Sequence, residues 1–88
     1  MAWTIEVTET AKKSLGKLDR ATAKRIRDFL RLRLAELDNP RQLGKPLHGS
    51  FDNYWSYRVG DYRILCDLQD NKLIVLVVEI GHRSDVYR

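Results

Sequence analysis

The chain has 88 residues, enough for one modest core, so we expect residues 1–88 to form a single domain. Sixteen lysines and arginines against twelve acidic residues give a formal charge of +4, which favours a polyanionic partner such as nucleic acid or an acidic protein. One cysteine excludes an internal disulfide, and the first residues lack the apolar stretch of a signal peptide, so we expect a cytoplasmic protein. The few cysteine and histidine residues show no paired spacing, and no apolar run is long enough to cross a bilayer. We therefore expect no metal, no cofactor and no membrane association.

Helical patterns dominate the first half of the chain. Residues 2–7 are β-rich and predict a first strand. Thr8 can cap a short helix that ends near Leu18, and Asp19 can cap a longer one. The longer helix should end before Asn39-Pro40, because the residue before a proline is pushed out of the helical region. Its apolar residues recur at helical spacing: Ala23, Ile26, Leu30, Leu34 and Leu37. Two helices joined so tightly predict an antiparallel hairpin.

The second half has a β pattern. Three β-rich runs, at residues 53–59, 62–69 and 72–80, are separated by the two-residue turn signals Gly60-Asp61 and Asp70-Asn71. The third run is apolar at nearly every residue, which is typical of a strand covered on both faces. The sequence therefore predicts an α+β fold of order β-α-α-β-β-β, in which the helical hairpin packs on a small, mainly antiparallel sheet.

The first turn predicts which side chains share a face of this sheet. A two-residue loop at Gly60-Asp61 places Arg58 opposite Arg63 and Ser56 opposite Leu65. One face then carries an apolar set that should pack on the helices: Trp55, Tyr57, Val59, Ile64, Cys66, Leu68, Leu73, Val75 and Val77. The other, open face carries Tyr54, Ser56, Arg58, Arg63 and Asp67.

The second turn predicts what joins the open face. A two-residue loop at Asp70-Asn71 places Arg63 opposite Val78 and Tyr62 opposite Glu79. The third strand would then deliver its last residues to the same edge. The sequence therefore predicts a cluster of Arg58, Arg63, His82, Arg83 and Tyr87.

Like charges directly opposite one another in a sheet are destabilising unless an anion or carboxylates offset them. Acidic neighbours in an ordinary ion-pair network are one explanation, and a bound phosphate is the other. A phosphate would suit RNA cleavage, in which the substrate supplies its own 2′-hydroxyl nucleophile. Such an enzyme must position the backbone, move protons and stabilise charge at phosphorus.

The sequence resembles the RelE family of bacterial toxins within the RelE/ParE superfamily. The resemblance spans almost the whole chain, and its most specific parts are VGDYRI around Arg63 and GHR followed by VY near the end. It implies a RelE-like fold and a ribosome-dependent endoribonuclease that cuts messenger RNA without a metal. It also implies three partners: the ribosome, messenger RNA, and an acidic RelB-like antitoxin that holds the toxin inactive.

The resemblance assigns roles to single residues. Arg63 matches the strand arginine that stabilises the scissile phosphate, Arg83 the arginine that stabilises the phosphate or leaving group, and Tyr87 the tyrosine that orients the substrate. Relatives carry two lysines, implicated in proton abstraction and phosphate binding, where this chain has Tyr54 and Ser56.

The identity of the general base is therefore open between His82, Lys45 and ribosomal RNA. We expect Arg58, Tyr54, Ser56 and Lys45 to contact RNA. Two other functions remain open: a ParE-like protein that inhibits DNA gyrase by binding, and a plain nucleic-acid-binding module. Codon preference, the antitoxin and its stoichiometry do not follow from the sequence.

Overall fold

A computed structural model describes residues 3–47 and 54–82 of the chain. Its elements are β1 (Thr4–Val7), α1 (Glu9–Gly16), α2 (Arg20–Asp28), β2 (Lys45–Pro46), β3 (Tyr54–Val59), β4 (Tyr62–Gln69) and β5 (Ile74–His82). The five strands form one sheet in the order β1-β5-β4-β3-β2. β1 runs parallel to β5, and the other neighbours are antiparallel. This arrangement confirms the predicted α+β fold. It places the apolar strand β5 between β1 and β4 instead of at an edge of the sheet.

The helices begin where the sequence predicts. The Thr8 side chain accepts a hydrogen bond from the Ala11 amide, and that of Asp19 accepts one from the Thr22 amide. Each cap satisfies an amide that has no partner inside its own helix. α2 continues as a π-helical segment over Phe29–Leu34 and ends there, a few residues earlier than the predicted end before Asn39-Pro40.

The core lies between the helices and one face of the sheet. Its buried members are mainly apolar residues of α1, α2, the π-helical segment and strands β3 to β5: Ala11, Ile26, Leu30, Leu34, Tyr57, Ile64, Cys66, Leu68, Val75, Val77 and Ile80. Trp3 is also buried, and its backbone amide donates to the Ala35 carbonyl at 2.7 Å. This contact ties the start of β1 to the end of the helical layer.

The first hairpin has the predicted register. Arg58 pairs with Arg63 and Ser56 with Leu65 across β3 and β4. Gly60 adopts a φ of 59°, a left-handed conformation that glycine adopts without steric cost and that this two-residue turn uses.

The predicted register of the second hairpin is wrong. Its turn spans residues 70–73, because Leu73 leaves the strand with a φ of 53° and β5 begins at Ile74. Leu73 packs against the core, a contact that can offset the strain of a left-handed leucine.

A bulge then adds one further residue to β5 opposite the step from Leu65 to Cys66. As a result Arg63 pairs with Gly81 instead of Val78, and Tyr62 pairs with His82 instead of Glu79. The bulge residue is Val78, whose carbonyl accepts a hydrogen bond from the Thr8 hydroxyl at 3.1 Å.

The connection between the helices and β3 contains two short elements that the sequence did not predict. A 3₁₀ turn at Pro40–Leu43 is capped by Asn39, whose side chain accepts from the Arg41 amide at 3.1 Å. β2 follows, with Lys45 opposite Ser56 and Pro46 opposite Trp55. Across residues 3–47 and 54–82, none of the helices has the length and apolar character needed to cross a membrane.

Candidate active site

A cleft of about 360 Å³ opens where β2, β3 and β4 lie side by side. It is lined by Leu43, Lys45, Ser56, Arg58 and Arg63. Four of these five residues are candidates from the sequence, and they come from three neighbouring strands. The cleft therefore brings three cationic side chains and a hydroxyl together.

Arg63 lies at the inner wall of the cleft. It is half-buried, and its Nη1 atom is buried from solvent. Its neighbour in β5 is Gly81, so no side chain at that position of β5 covers the guanidinium from the open face. A half-buried guanidinium loses less conformational freedom when it binds an anion than an exposed one would, and its fork of N–H groups matches phosphate oxygens.

Arg58 lies opposite Arg63 and is exposed. Its Nε atom donates to the carbonyl of Gly60 at 3.1 Å, which leaves the terminal nitrogens to reach outward. Within residues 3–47 and 54–82, no carboxylate lies within salt-bridge distance of Arg58; the ion pairs found there include Lys12–Glu9, Lys24–Asp28 and Arg41–Asp70. The juxtaposition of two guanidinium groups without a carboxylate on Arg58 favours an anion site.

Ser56 and Lys45 form the opposite wall. Ser56 is only 5% exposed, and Lys45, directly across from it in β2, is exposed. The exposed lysine side chain can therefore move its ammonium over the cleft.

The match to known proteins covers most of the chain. Residues 5–87 match the family described as the ParE toxin of type II toxin–antitoxin systems, parDE. Over its full length the chain is 32% identical to toxin RelG of Mycobacterium tuberculosis, and the match covers 99% of that protein. The chain belongs to the RelE/ParE superfamily of type II toxins. Toxin RelE of M. tuberculosis is 34% identical over 96% of this chain and 84% of its own length. The mRNA interferase toxin RelE of Escherichia coli is 33% identical over 99% of this chain and 92% of its own length.

Solved structures agree with this assignment. The toxin–antitoxin complex RelBE2 of M. tuberculosis contains a chain that is 29% identical to this toxin. The two superpose with a TM-score of 0.86 over 97% of this chain and 95% of that one. A mutant of E. coli toxin RelE in the free state superposes with a TM-score of 0.79, over 98% and 88% of the two chains. That pair is 20% identical and shows a shared fold alone.

His82 does not join the arginines in this toxin. Because His82 pairs with Tyr62, the two side chains share the face that packs on the helices, and their rings meet edge to face at 5.7 Å. The end of β5 reaches the edge beside Arg63, as predicted, but the predicted cluster of His82 with Arg58 and Arg63 is wrong. The one-residue bulge at Val78 places the His82 side chain on the opposite face of the sheet.

The remaining candidates are placed as follows. Tyr54 lies on the open face, half-buried opposite Asp67, two residues from Ser56 and beyond the cleft lining. Arg83 and Tyr87 lie outside the described residues. Leu43 was missed by the sequence reasoning: it sits in a connection without periodicity, and it reaches the cleft only because the 3₁₀ turn directs the chain into β2.

Proposed function

We propose that this toxin is a ribosome-dependent endoribonuclease that cuts messenger RNA and is held inactive by an acidic RelB-like antitoxin. The observation that carries the proposal is the paired Arg58 and Arg63, which with Lys45 line one cleft. Two kinds of relatives support it: a 33% identical E. coli protein named as an mRNA interferase toxin, and a 29% identical chain solved with its antitoxin.

In this mechanism the RNA supplies the nucleophile. The 2′-oxygen forms a bond to phosphorus, the bond to the 5′-oxygen breaks, one proton leaves the 2′-hydroxyl and one reaches the departing 5′-oxygen. Arg63 donates to the non-bridging phosphate oxygens and binds more strongly as negative charge develops on them. Arg58 contacts the same or the next phosphate, and the scheme requires no metal ion.

By resemblance to the family, Arg83 would stabilise the leaving group and Tyr87 would orient the substrate. Of the bases considered, Lys45 lines the cleft and His82 lies on the other face of the sheet, which favours Lys45 or ribosomal RNA. Tyr54 and Ser56 would contact the ribose or base beside the phosphate.

The test is a cell-free translation reaction in which new 5′ ends on the message are mapped. We expect cuts in register with codons, unaffected by EDTA at levels that leave the ribosome intact. Arg63→Ala should reduce the cleavage rate on the order of 10²-fold or more, because it removes a donor to the developing charge. Arg20→Ala removes the same charge from the exposed start of α2 and should cut at the wild-type rate.

Lys45 can be tested as base or as phosphate contact with two variants. Arginine keeps the positive charge but does not give up its proton. If Lys45 is the base, Lys45→Arg should be as inactive as Lys45→Ala. If it binds phosphate, Lys45→Arg should retain most of the activity.

A second candidate function is inhibition of DNA gyrase, because the matching family is described as the ParE toxin. A ParE-like toxin would act by binding DNA gyrase. Intact message together with inhibited DNA supercoiling in a purified gyrase assay would support that function and refute the nuclease.

A further inference from the structure

The strand that carries Lys45 is too short to hold its own position. β2 has two residues at the edge of the sheet, and it pairs with β3 through Lys45–Ser56 and Pro46–Trp55. One further backbone bond, from the Leu47 amide to the Tyr54 carbonyl at 3.1 Å, extends the pair. So short an edge pairing is expected to open easily unless contacts elsewhere restrain it.

Arg41 supplies contacts of this kind. Its Nη1 and Nη2 atoms donate to the two carboxylate oxygens of Asp70 at 3.0 and 2.7 Å, a bidentate pair across 29 positions of sequence. Its guanidinium carbon also lies 5.7 Å from the centre of the Trp55 ring. The arginine therefore joins the 3₁₀ turn to β3 and to the turn between β4 and β5.

The guanidinium of Arg41 lies on the other side of the sheet from the cleft. Trp55 pairs with Cys66 on the face that packs on the helices, whereas Ser56 faces the cleft. The arginine is also 28% exposed, and its pKa is raised because Asp70 accepts its hydrogen bonds. A guanidinium so engaged is poorly placed to bind the substrate phosphate.

We infer that Arg41 is a positioning residue: by bridging Asp70 and Trp55 it holds residues 40–46 against β3 and thereby places Lys45 in the cleft. The expected effect of Arg41 on the cleavage rate rests on the proposed function. The restraint of residues 40–46 by Arg41 can be measured without any cleavage assay. Arg41 begins the connection that ends four residues later at Lys45, so loss of the bridge should loosen the strand.

Hydrogen exchange measures the restraint directly. The amides of Gly44 and Leu47 donate to the carbonyls of Arg41 and Tyr54. In Arg41→Ala both amides should exchange faster than in the wild type. The matched control is Lys24→Ala, which removes an exposed ion pair of the same 2.7 Å length within α2 and should leave both amides unchanged. Unchanged exchange in Arg41→Ala would overturn the inference.

Cleavage of message on ribosomes then tests the consequence. Arg41→Ala should lower kcat on the order of 10-fold, with little change in KM, since misplacing a catalytic group by about 1 Å can cost up to about 10²-fold. Arg41→Lys should be intermediate. Once Lys45 is already alanine, adding Arg41→Ala should have no further effect, because the two residues act through one another.

Asp70→Asn separates positioning from direct RNA binding. If Arg41 positions the strand, Asp70→Asn should lower kcat as Arg41→Ala does. Faster cleavage or tighter RNA binding in Asp70→Asn would mean that the released arginine binds phosphate. If the reductions in cleavage rate caused by Arg41→Ala and Lys45→Ala multiply in the double variant, the two residues act independently. Either result overturns the inference. If the wild-type toxin cuts no message, the proposed function fails, and the exchange data still decide whether Arg41 holds the segment.

Discussion

The hydroxyl of Tyr57 makes the most sharply testable contact in the fold. It donates to the carbonyl of Pro40 at 2.9 Å, and both residues are fully buried. Burial raises the pKa of Tyr57, so the hydroxyl stays protonated and remains a donor well above neutral pH. The same ring lies against Gly44, where an added Cβ would come within 2.8 Å of its Cε1 atom. Tyr57 thus supports the connection that leads into β2.

The variant Tyr57→Phe removes this one contact and keeps the ring. A buried hydrogen bond contributes about 0.5–1.5 kcal/mol net, and a buried carbonyl deprived of its donor costs about 1–3 kcal/mol. We therefore expect the free energy of unfolding to fall by about 1–2 kcal/mol. For a domain of this size the melting temperature should drop by roughly 4–16 °C.

Urea unfolding followed by circular dichroism measures the change, which should appear as a lower midpoint with an unchanged m value. Tyr62→Phe is the matched control. Within the described ranges its hydroxyl makes no hydrogen bond that the structure records, so its stability should change by less than about 0.5 kcal/mol. If Tyr57→Phe were as stable as this control, the Pro40 contact would not restrain the segment, and the reasoning would be refuted.

Three further predictions concern other parts of the fold. Thr8→Ala should lower the free energy of unfolding by about 1–2 kcal/mol, since Thr8 caps α1 and its hydroxyl also donates to the Val78 carbonyl. Thr8→Ser keeps the hydroxyl and should retain most of the wild-type stability, as measured by urea unfolding. Burial raises the pKa of the Cys66 thiol, so iodoacetamide should label it slowly in the folded toxin and rapidly in urea, and rapid native labelling would contradict the assigned core. Hydrogen bonds from Arg41 hold the pKa of Asp70 below its ordinary value of 3.8, so the stabilisation is complete above that pH and is lost as the pH falls through the lower folded value. The stability difference between wild type and Asp70→Asn should therefore shrink only in acid; a difference that disappears near neutral pH would argue against the ion pair.

The part of the site that depends on the first hairpin follows from the sequence. Gly60-Asp61 is a compact turn with glycine at its left-handed position, and it alone determines that Arg58 faces Arg63. The helix caps at Thr8 and Asp19 were also predictable from local sequence, because each side chain accepts from a backbone amide only three residues away.

The part that depends on the second hairpin could not be predicted. Asp70-Asn71 resembles a two-residue turn, but the turn in the structure is longer and includes Leu73, which packs on the core. Neither this contact nor the bulge at Val78 has a local sequence signature. The longer turn shifts β5 by two residues, so each of its side chains keeps the predicted face. The one-residue bulge reverses the face of the residues after Val78 and so separates the His82 side chain from Arg63. β2 is likewise too short to show a period, so the contribution of Leu43 became apparent only in three dimensions.

The extra residue in β5 also affects how this toxin should be compared with its relatives. On either side of Val78 the ladder with β4 is regular, with Cys66 opposite Val77 and Leu65 opposite Glu79. A homologue that lacks this residue would straighten the strand and still place a glycine across from the central arginine. A one-position gap between Val77 and Gly81 is therefore compatible with the same pairing of Gly81 and Arg63, whereas a gap of two positions there would move the glycine one place away from Arg63.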